Sequence, residues 1–68
     1  MKMSDLNIPR SELERLIGEY VYIARNQTIF FSKLEGRTYE EIAEEYNLSS
    51  VRVKEIVKDC LNRISGHL

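Results

Sequence analysis

Two hydroxyl side chains and three cations in the C-terminal half of the chain have types and spacing that suit phosphate binding. Thr38 and Ser49 are each placed to cap a helix, and the N-terminus of a helix presents free N–H groups and a partial positive charge to an anion. Arg52, Lys54 and Lys58 follow Ser49 closely, and such side chains donate to phosphates or to guanine edges. This combination favours binding to a nucleic acid.

Two residues next to these cations, Val51 and Glu55, bear on base recognition. Val51 is β-branched and projects away from the apolar side of its predicted helix, so it either contacts a thymine methyl group or is an incidental surface valine. Glu55 repels phosphates unless it accepts a hydrogen bond from a cytosine amino group. For the three basic residues, the alternative to DNA contact is an ordinary solvated helix face.

The elements that position these side chains are predicted to be two short helices joined by a tight turn, within residues 38–64. Thr38 followed by Glu41 is the pattern of a capping box, in which each side chain accepts from the other residue's N–H group, so the first helix is predicted to begin at about Tyr39. Asn47 belongs to the few residue types besides glycine that enter the left-handed region at modest cost. The pattern therefore predicts a helix-turn-helix.

The second helix of this pair is predicted to begin at Ser50, with Ser49 as its N-cap. Six apolar residues recur in it at the spacing of one helical face, namely Val53, Ile56, Val57, Cys60, Leu61 and Ile64. They predict one buried stripe, which leaves the opposite side free to contact a partner. Cys60 lies within the stripe and is expected to pack in the core, as free cysteines usually do.

The N-terminal part of the chain begins without helical periodicity. Residues 1–10 are predicted to form a flexible arm, followed by a single helical domain over residues 11–68. Ser11 followed by Glu14 is a second capping-box pattern, and the apolar residues after it predict a helix that ends at about Arg25.

A further short helix is predicted from about Gln27 to Glu35. Asn26 is its expected cap, and Gly36 is the expected residue that ends it. The alternative is that this helix and the one before it run on with only a bend, because the sequence between them contains no strong helix breaker.

Tyr22 and Ile23 give the first helix apolar residues beyond one stripe. They are expected to be buried either inside a small bundle or partly against a second subunit. The second alternative matters because a chain of 68 residues buries only about 60% of the surface that its unfolded form exposes. A homodimer through the N-terminal helices would add stability.

The composition is that of an ordinary globular protein, with 43% apolar and 31% charged residues. The longest apolar run, residues 20–24, is far shorter than the roughly 20 residues of a membrane span, and no apolar signal segment begins the sequence, so we expect no membrane association and a cytoplasmic location. With one cysteine and one histidine, the sequence offers no disulfide, metal-ligand cluster or catalytic dyad. We expect no cofactor, no metal and no enzymatic activity.

Three phrases in the sequence point to a known family. Leu34-Glu35-Gly36-Arg37-Thr38-Tyr39-Glu40-Glu41-Ile42-Ala43 is followed by Tyr46-Asn47-Leu48-Ser49 and then by Arg52-Val53-Lys54-Glu55-Ile56. The order resembles region four of bacterial sigma factors, over about residues 11–64. The resemblance implies an all-α domain of four helices with a C-terminal helix-turn-helix, present here as a stand-alone small regulator.

The resemblance also implies a set of contacts with double-stranded DNA. The last helix would lie in the major groove, with base contacts from Ser50, Val51, Arg52, Lys54, Glu55 and Lys58. Phosphate contacts would come from Arg37, Thr38 and Ser49. Region four of sigma factors also docks on RNA polymerase, which is the second expected partner.

The charge balance makes DNA binding by one protomer weak. The whole chain has a net charge of −1, and residues 49–68 carry four cations and two anions, whereas residues 37–48 carry one cation and four anions. The primary hypothesis is a sequence-specific DNA-binding transcriptional regulator. The alternative is a protein-interaction module, in which the acidic face of Glu40, Glu41, Glu44 and Glu45 suits a basic partner, although a solvated surface explains that face equally well.

Overall fold

The computed structural model describes residues 8–67 and contains four helices in that range. They are α1 (Arg10–Tyr20), α2 (Ala24–Leu34), α3 (Tyr39–Tyr46) and α4 (Ser50–Ser65). The described residues form no strand, so the predicted class, an all-α domain of four helices, is confirmed. Most of the predicted flexible arm, residues 1–7, lies outside the described residues.

The first helix differs from the prediction at both ends. It begins at Arg10, with Pro9 as its N-cap and without a side-chain cap, so the predicted capping box of Ser11 and Glu14 is wrong. It ends at Tyr20, five residues before the predicted end, because Val21 adopts an extended conformation (φ −115°, ψ 107°) and is buried there. β-branched residues adopt an extended backbone at little cost in free energy. The burial of Val21 then favours this conformation over a further turn of α1.

The second helix begins earlier than predicted, at Ala24. Its N-cap is Ile23 and not Asn26, which instead lies inside the helix and is 9% exposed. The extended connection formed by residues 21–23 excludes a continuous bent helix. Gln27 fixes this connection, because its Nε2 donates to the carbonyl oxygen of Val21 at 2.6 Å.

Gly36 ends the second helix as predicted. Its φ of 98° is left-handed, a conformation that costs glycine little. The N–H of Gly36 donates to the carbonyl oxygen of Lys33 at 3.0 Å, and that of Arg37 donates to Ser32 at 3.3 Å, the pair of bonds of a Schellman motif. The chain therefore reverses sharply between α2 and α3.

The turn between α3 and α4 follows the sequence prediction closely. The capping box of Thr38 and Glu41 is present, and α3 begins at Tyr39. Asn47 has left-handed angles (φ 57°, ψ 44°), and the N–H of Leu48 donates to the carbonyl oxygen of Ala43 at 2.8 Å. The Ser49 hydroxyl accepts from the N–H of Arg52 at 3.1 Å and caps α4.

The core forms around α4, which contacts each of the other three helices. Five of the six predicted stripe residues are buried, and Leu61 is partly buried. The buried apolar residues are Leu13, Leu16, Ile17, Val21, Ile29, Phe30, Ile42, Ala43, Val53, Ile56, Val57, Cys60 and Ile64. The Cys60 thiol donates to the carbonyl oxygen of Asn26 at 3.8 Å, and burial raises its pKa to about 11, so it is a core thiol without nucleophilic character at neutral pH.

Substitution of Asn47 tests the turn. Asn47→Ala is expected to lower the free energy of unfolding by about 1–2 kcal/mol, because alanine pays the full cost of the left-handed conformation. Asn47→Gly, the matched control, is expected to unfold at about the wild-type urea concentration. Equal stability of the two variants in urea titrations would show that the left-handed residue does not limit the turn.

Candidate nucleic-acid interface

The side of α4 opposite its buried stripe is exposed along the helix. Val51 is 62% exposed although it is apolar, and Glu55, Lys58 and Asn62 are exposed on the same side. The N–H groups of Ser50 and Val51 precede the first intrahelical hydrogen bond of α4, so they remain available to an acceptor. This side is open to a ligand from the first turn of the helix.

Arg52 and Glu55 form an exposed ion pair on this helix. The Nη1 of Arg52 lies 3.6 Å from an Oε of Glu55, with about half or more of each side chain exposed. Such a pair is worth little in water and opens easily. Its effect is to offset the charge of Glu55 while both groups remain accessible to a partner.

Lys54 lies on the flank of α4 that faces α3. Its Nζ is 5.5 Å from the ring centroid of Tyr39, and the Nζ of Lys33, from α2, is 4.3 Å from the same ring. Lys33 also donates to the carbonyl oxygen of Arg37 at 3.3 Å. The two lysines therefore bring positive charge to the N-terminal end of α3, where Thr38 lies.

Lys33 was not among the predicted site residues. It lies on another helix, and only the reversal at Gly36 brings it to Tyr39. The sequence did contain a signal for it. Lys33 shortly precedes Gly36 and the cap Thr38, and a chain that reverses at the glycine brings such a lysine back near the cap. Its neighbour in space, Lys54, is 21 positions away, and that proximity depends on the packing of α4.

Arg37 is held by an acidic neighbour. Its Nη1 pairs with the Glu45 carboxylate, and this hydrogen bond raises the pKa of the guanidinium. Arg37, Glu41, Glu44 and Glu45 line one shallow depression. A phosphate contact by Arg37 would therefore compete with Glu45 for the guanidinium.

The hydroxyl groups of Thr38 and Ser49 are both used as caps. The Oγ1 of Thr38 accepts from the N–H of Glu41 at 3.1 Å, and a Glu41 Oε accepts from the N–H of Thr38 at 2.9 Å. These bonds hold the pKa of Glu41 below its ordinary value, with the backbone bond from Thr38 as the largest cause. Phosphate binding at these positions would depend on the other N–H groups of each first turn.

These features define a class of protein. In the described residues, two helices joined by a left-handed turn are supported by two others, and the last helix presents an exposed side with cations on it, as in helix-turn-helix domains that bind DNA.

The chain belongs to the family described as Sigma-70, region 4, whose model matches residues 11–65. The resemblance seen in the sequence is thereby confirmed. Comparison with curated proteins and with solved structures gives no significant match. The family is one of DNA-binding regulatory domains and not of enzymes. Among the described residues, no helix has the length and apolar character that crossing a membrane requires.

The capping box predicts a pH-dependent contribution to stability. A carboxyl group whose pKa is lower in the folded chain adds stability above its unfolded pKa, here about 4.5, and loses it as the pH falls through the folded value. Glu41→Gln keeps an acceptor for the N–H of Thr38 but cannot titrate. Wild type should therefore exceed this variant in urea stability at pH 7, and the difference should shrink below pH 4.5. Stability curves that remain parallel down to pH 3 would contradict this role.

Proposed function

We propose that this protein is a sequence-specific DNA-binding transcriptional regulator that inserts α4 into the major groove. The proposal rests on the exposure of one side of α4, where Val51, Arg52 and Lys54 lie at or next to the capped first turn. Membership of the Sigma-70, region 4 family supports a role in transcription. The location that we propose with this function is the cytoplasm.

The base contacts are proposed to follow the exposed side of α4. The candidate residues are Ser50, Val51, Arg52, Glu55 and Lys58, whereas Lys54, which the sequence resemblance placed among the base contacts, lies on the flank beside Tyr39 and is assigned to a phosphate. Val51 and Glu55 are one helical turn apart, about 6 Å along the axis, which matches about two base-pair steps. A thymine methyl group at the first position and a cytosine amino group at the second would satisfy both side chains.

The phosphate contacts are proposed at the N-termini of α3 and α4, where Thr38 and Ser49 lie. Lys33 and Lys54 flank Tyr39 beside the first of these positions, so they add the positive charge that the acidic α3 lacks. Arg37 is retained as a candidate that exchanges its partner Glu45 on binding. Because few phosphates are neutralised, affinity should be modest and should change only moderately with salt concentration.

Two alanine substitutions on α4 test the proposal. Arg52→Ala is expected to weaken binding to a selected site by about 1–3 kcal/mol, and Lys54→Ala should weaken binding to all sequences and lower the slope of affinity against salt by about one. Neither exposed side chain contributes to the core, so folding should be unchanged. The measurement is fluorescence anisotropy on a site selected from random duplex DNA.

Arg15→Ala is the matched control. It removes one exposed arginine that pairs with Glu12 and Glu19 on α1, away from the proposed interface. This variant should bind DNA as the wild type does. Intact binding by both α4 variants, or an equal loss in the control, would refute the proposed contact surface.

A second candidate function is docking on RNA polymerase or another transcription factor, and the acidic side of α3 favours it. Glu41 is engaged in the capping box and Glu45 in the pair with Arg37, whereas Glu40 and Glu44 form no ion pair in the part of the chain that the structure describes. These two exposed carboxylates lie one turn apart and suit a basic surface.

Charge reversal at these positions tests the second candidate. The double variant Glu40→Lys/Glu44→Lys should lose binding to purified core RNA polymerase, while Glu14→Lys/Glu19→Lys, which makes the same charge change on α1, should retain it. Polymerase binding together with no detectable shift of any selected DNA would favour this function over the first. Absence of polymerase binding would remove RNA polymerase as the partner.

A further inference from the structure

Two tyrosines at the surface have surroundings of different kinds. Tyr22 is 78% exposed and its neighbour Ile23 is 56% exposed, so burial inside the bundle, the first of the two alternatives for this pair, is wrong, and partial burial against a second subunit stays a prediction. The cation beside Tyr22, Arg63, is paired with Asp59. Tyr39 has two lysines beside it, and their charge is not offset in this way.

The ring of Tyr39 brings together cations from two other helices. The Nζ of Lys33, in the last turn of α2, lies 4.3 Å from the ring centroid, and the Nζ of Lys54, on α4, lies 5.5 Å from it. Both distances are within the roughly 6 Å over which an aromatic face attracts a cation. One ring thus joins α2, α3 and α4 at the N-terminal end of α3.

The position of this ring is fixed by the fold and does not depend on the lysines. Tyr39 is the first residue of α3, directly after the capping box that begins at Thr38. Its side chain is partly buried and packs against the core. Lys33 is held at a second point, because it donates to the carbonyl oxygen of Arg37 at 3.3 Å. The cluster is therefore anchored before any ligand arrives.

The charge of the two lysines is not neutralised by the protein itself. Within residues 8–67, every ion pair has an arginine as its cation, and neither Lys33 nor Lys54 pairs with a carboxylate. An aromatic face attracts an ammonium group but leaves its charge in place. Each ammonium has three N–H donors, so both lysines keep donors for an anion.

We propose that Tyr39 is a positioning residue, whose ring holds Lys33 and Lys54 as a preformed pair of donors for the phosphate backbone of DNA. The assignment of DNA as the ligand rests on the proposed function. Tyr39 acts through the two lysines and needs no contact of its own with the duplex.

The ring contributes to binding in two ways. A lysine side chain loses rotamer freedom when its ammonium binds a phosphate, and a side chain that is already held by the ring has less freedom to lose. The ring also offers the ammonium groups an alternative to the exposed Glu40, the next residue of α3, whose carboxylate would neutralise them. Because phosphate contacts carry no sequence information, the gain should be equal for all duplexes.

The first experiment observes the lysine side chains by NMR, without DNA. The ring current of Tyr39 should shift the ε-methylene signals of Lys33 and Lys54 upfield of those of Lys58, which is exposed on α4 and serves as the internal reference. Tyr39→Phe keeps the ring, so the shifts should remain. Tyr39→Leu has no aromatic face, so both signals should move to the position of Lys58. Wild-type signals that coincide with those of Lys58 would overturn the proposal.

The second experiment measures affinity for a selected duplex and for a random one. Tyr39→Leu should weaken binding to both by about three- to tenfold, since two cation–π contacts are lost, whereas Tyr39→Phe should bind as the wild type does. In the Lys33→Gln/Lys54→Gln background, Tyr39→Leu should cause no further loss. A loss of affinity in Tyr39→Phe, or an undiminished effect of Tyr39→Leu in that background, would show that Tyr39 does not act through the lysines.

Tyr46→Leu is the matched control. Tyr46 is also a partly buried residue of α3 that packs against the core, and no cation of the described residues lies over its ring. Urea titrations should show comparable losses of stability in the two leucine variants, with a loss of DNA affinity in Tyr39→Leu alone. An equal loss of affinity in both would attribute the effect to the fold and refute the positioning role.

The two experiments also separate this proposal from the proposed function. A wild type that binds no duplex would refute the proposed function. The lysine signals would still decide whether Tyr39 holds the two ammonium groups, because their measurement needs no DNA.

Discussion

Burial of one side of α4 is the constraint on which the rest of the structure depends. The stripe from Val53 to Ile64 is the surface on which α1, α2 and α3 all pack, so these helices hardly need to contact one another to form a common core. A single stripe also fixes the rotation of α4 about its axis. The side that carries Val51 and Lys58 must then face outward, and the same burial that stabilises the fold therefore presents the proposed DNA-contacting residues.

The turn between α3 and α4 is the second feature that fixes the position of α4. Its geometry is set by local interactions, namely the left-handed Asn47 and the cap that Ser49 provides, and not by distant contacts. A turn with its own conformational preference holds the two helices at one angle before the core is complete. The first turn of α4 can consequently be both exposed and fixed in position, as a contact with bases requires.

This difference between local and distant interactions explains how much the sequence could predict. The starts predicted for α3 and α4 are correct, because helix caps and a left-handed asparagine act over only a few residues of sequence. The predicted end of α1 and the predicted start of α2 are wrong because the burial of Val21 favours an extended backbone there, although the apolar periodicity continues through Val21 to Ala24. The position of Lys33 at Tyr39 and the pairing of Arg37 with Glu45 depend on tertiary packing and chain reversal, which periodicity does not report.

The central place of α4 also has a consequence for how the protein is made. Synthesis proceeds from the N-terminus at about 5–20 residues per second, so α1, α2 and α3 leave the ribosome before the helix on which they pack. Residues such as Phe30 and Ile42, fully buried in the finished fold, are without most of their neighbours during that interval. The nascent chain thus passes through a stage that is vulnerable to aggregation, and the brevity of α1, α2 and α3 keeps the apolar surface exposed at that stage small.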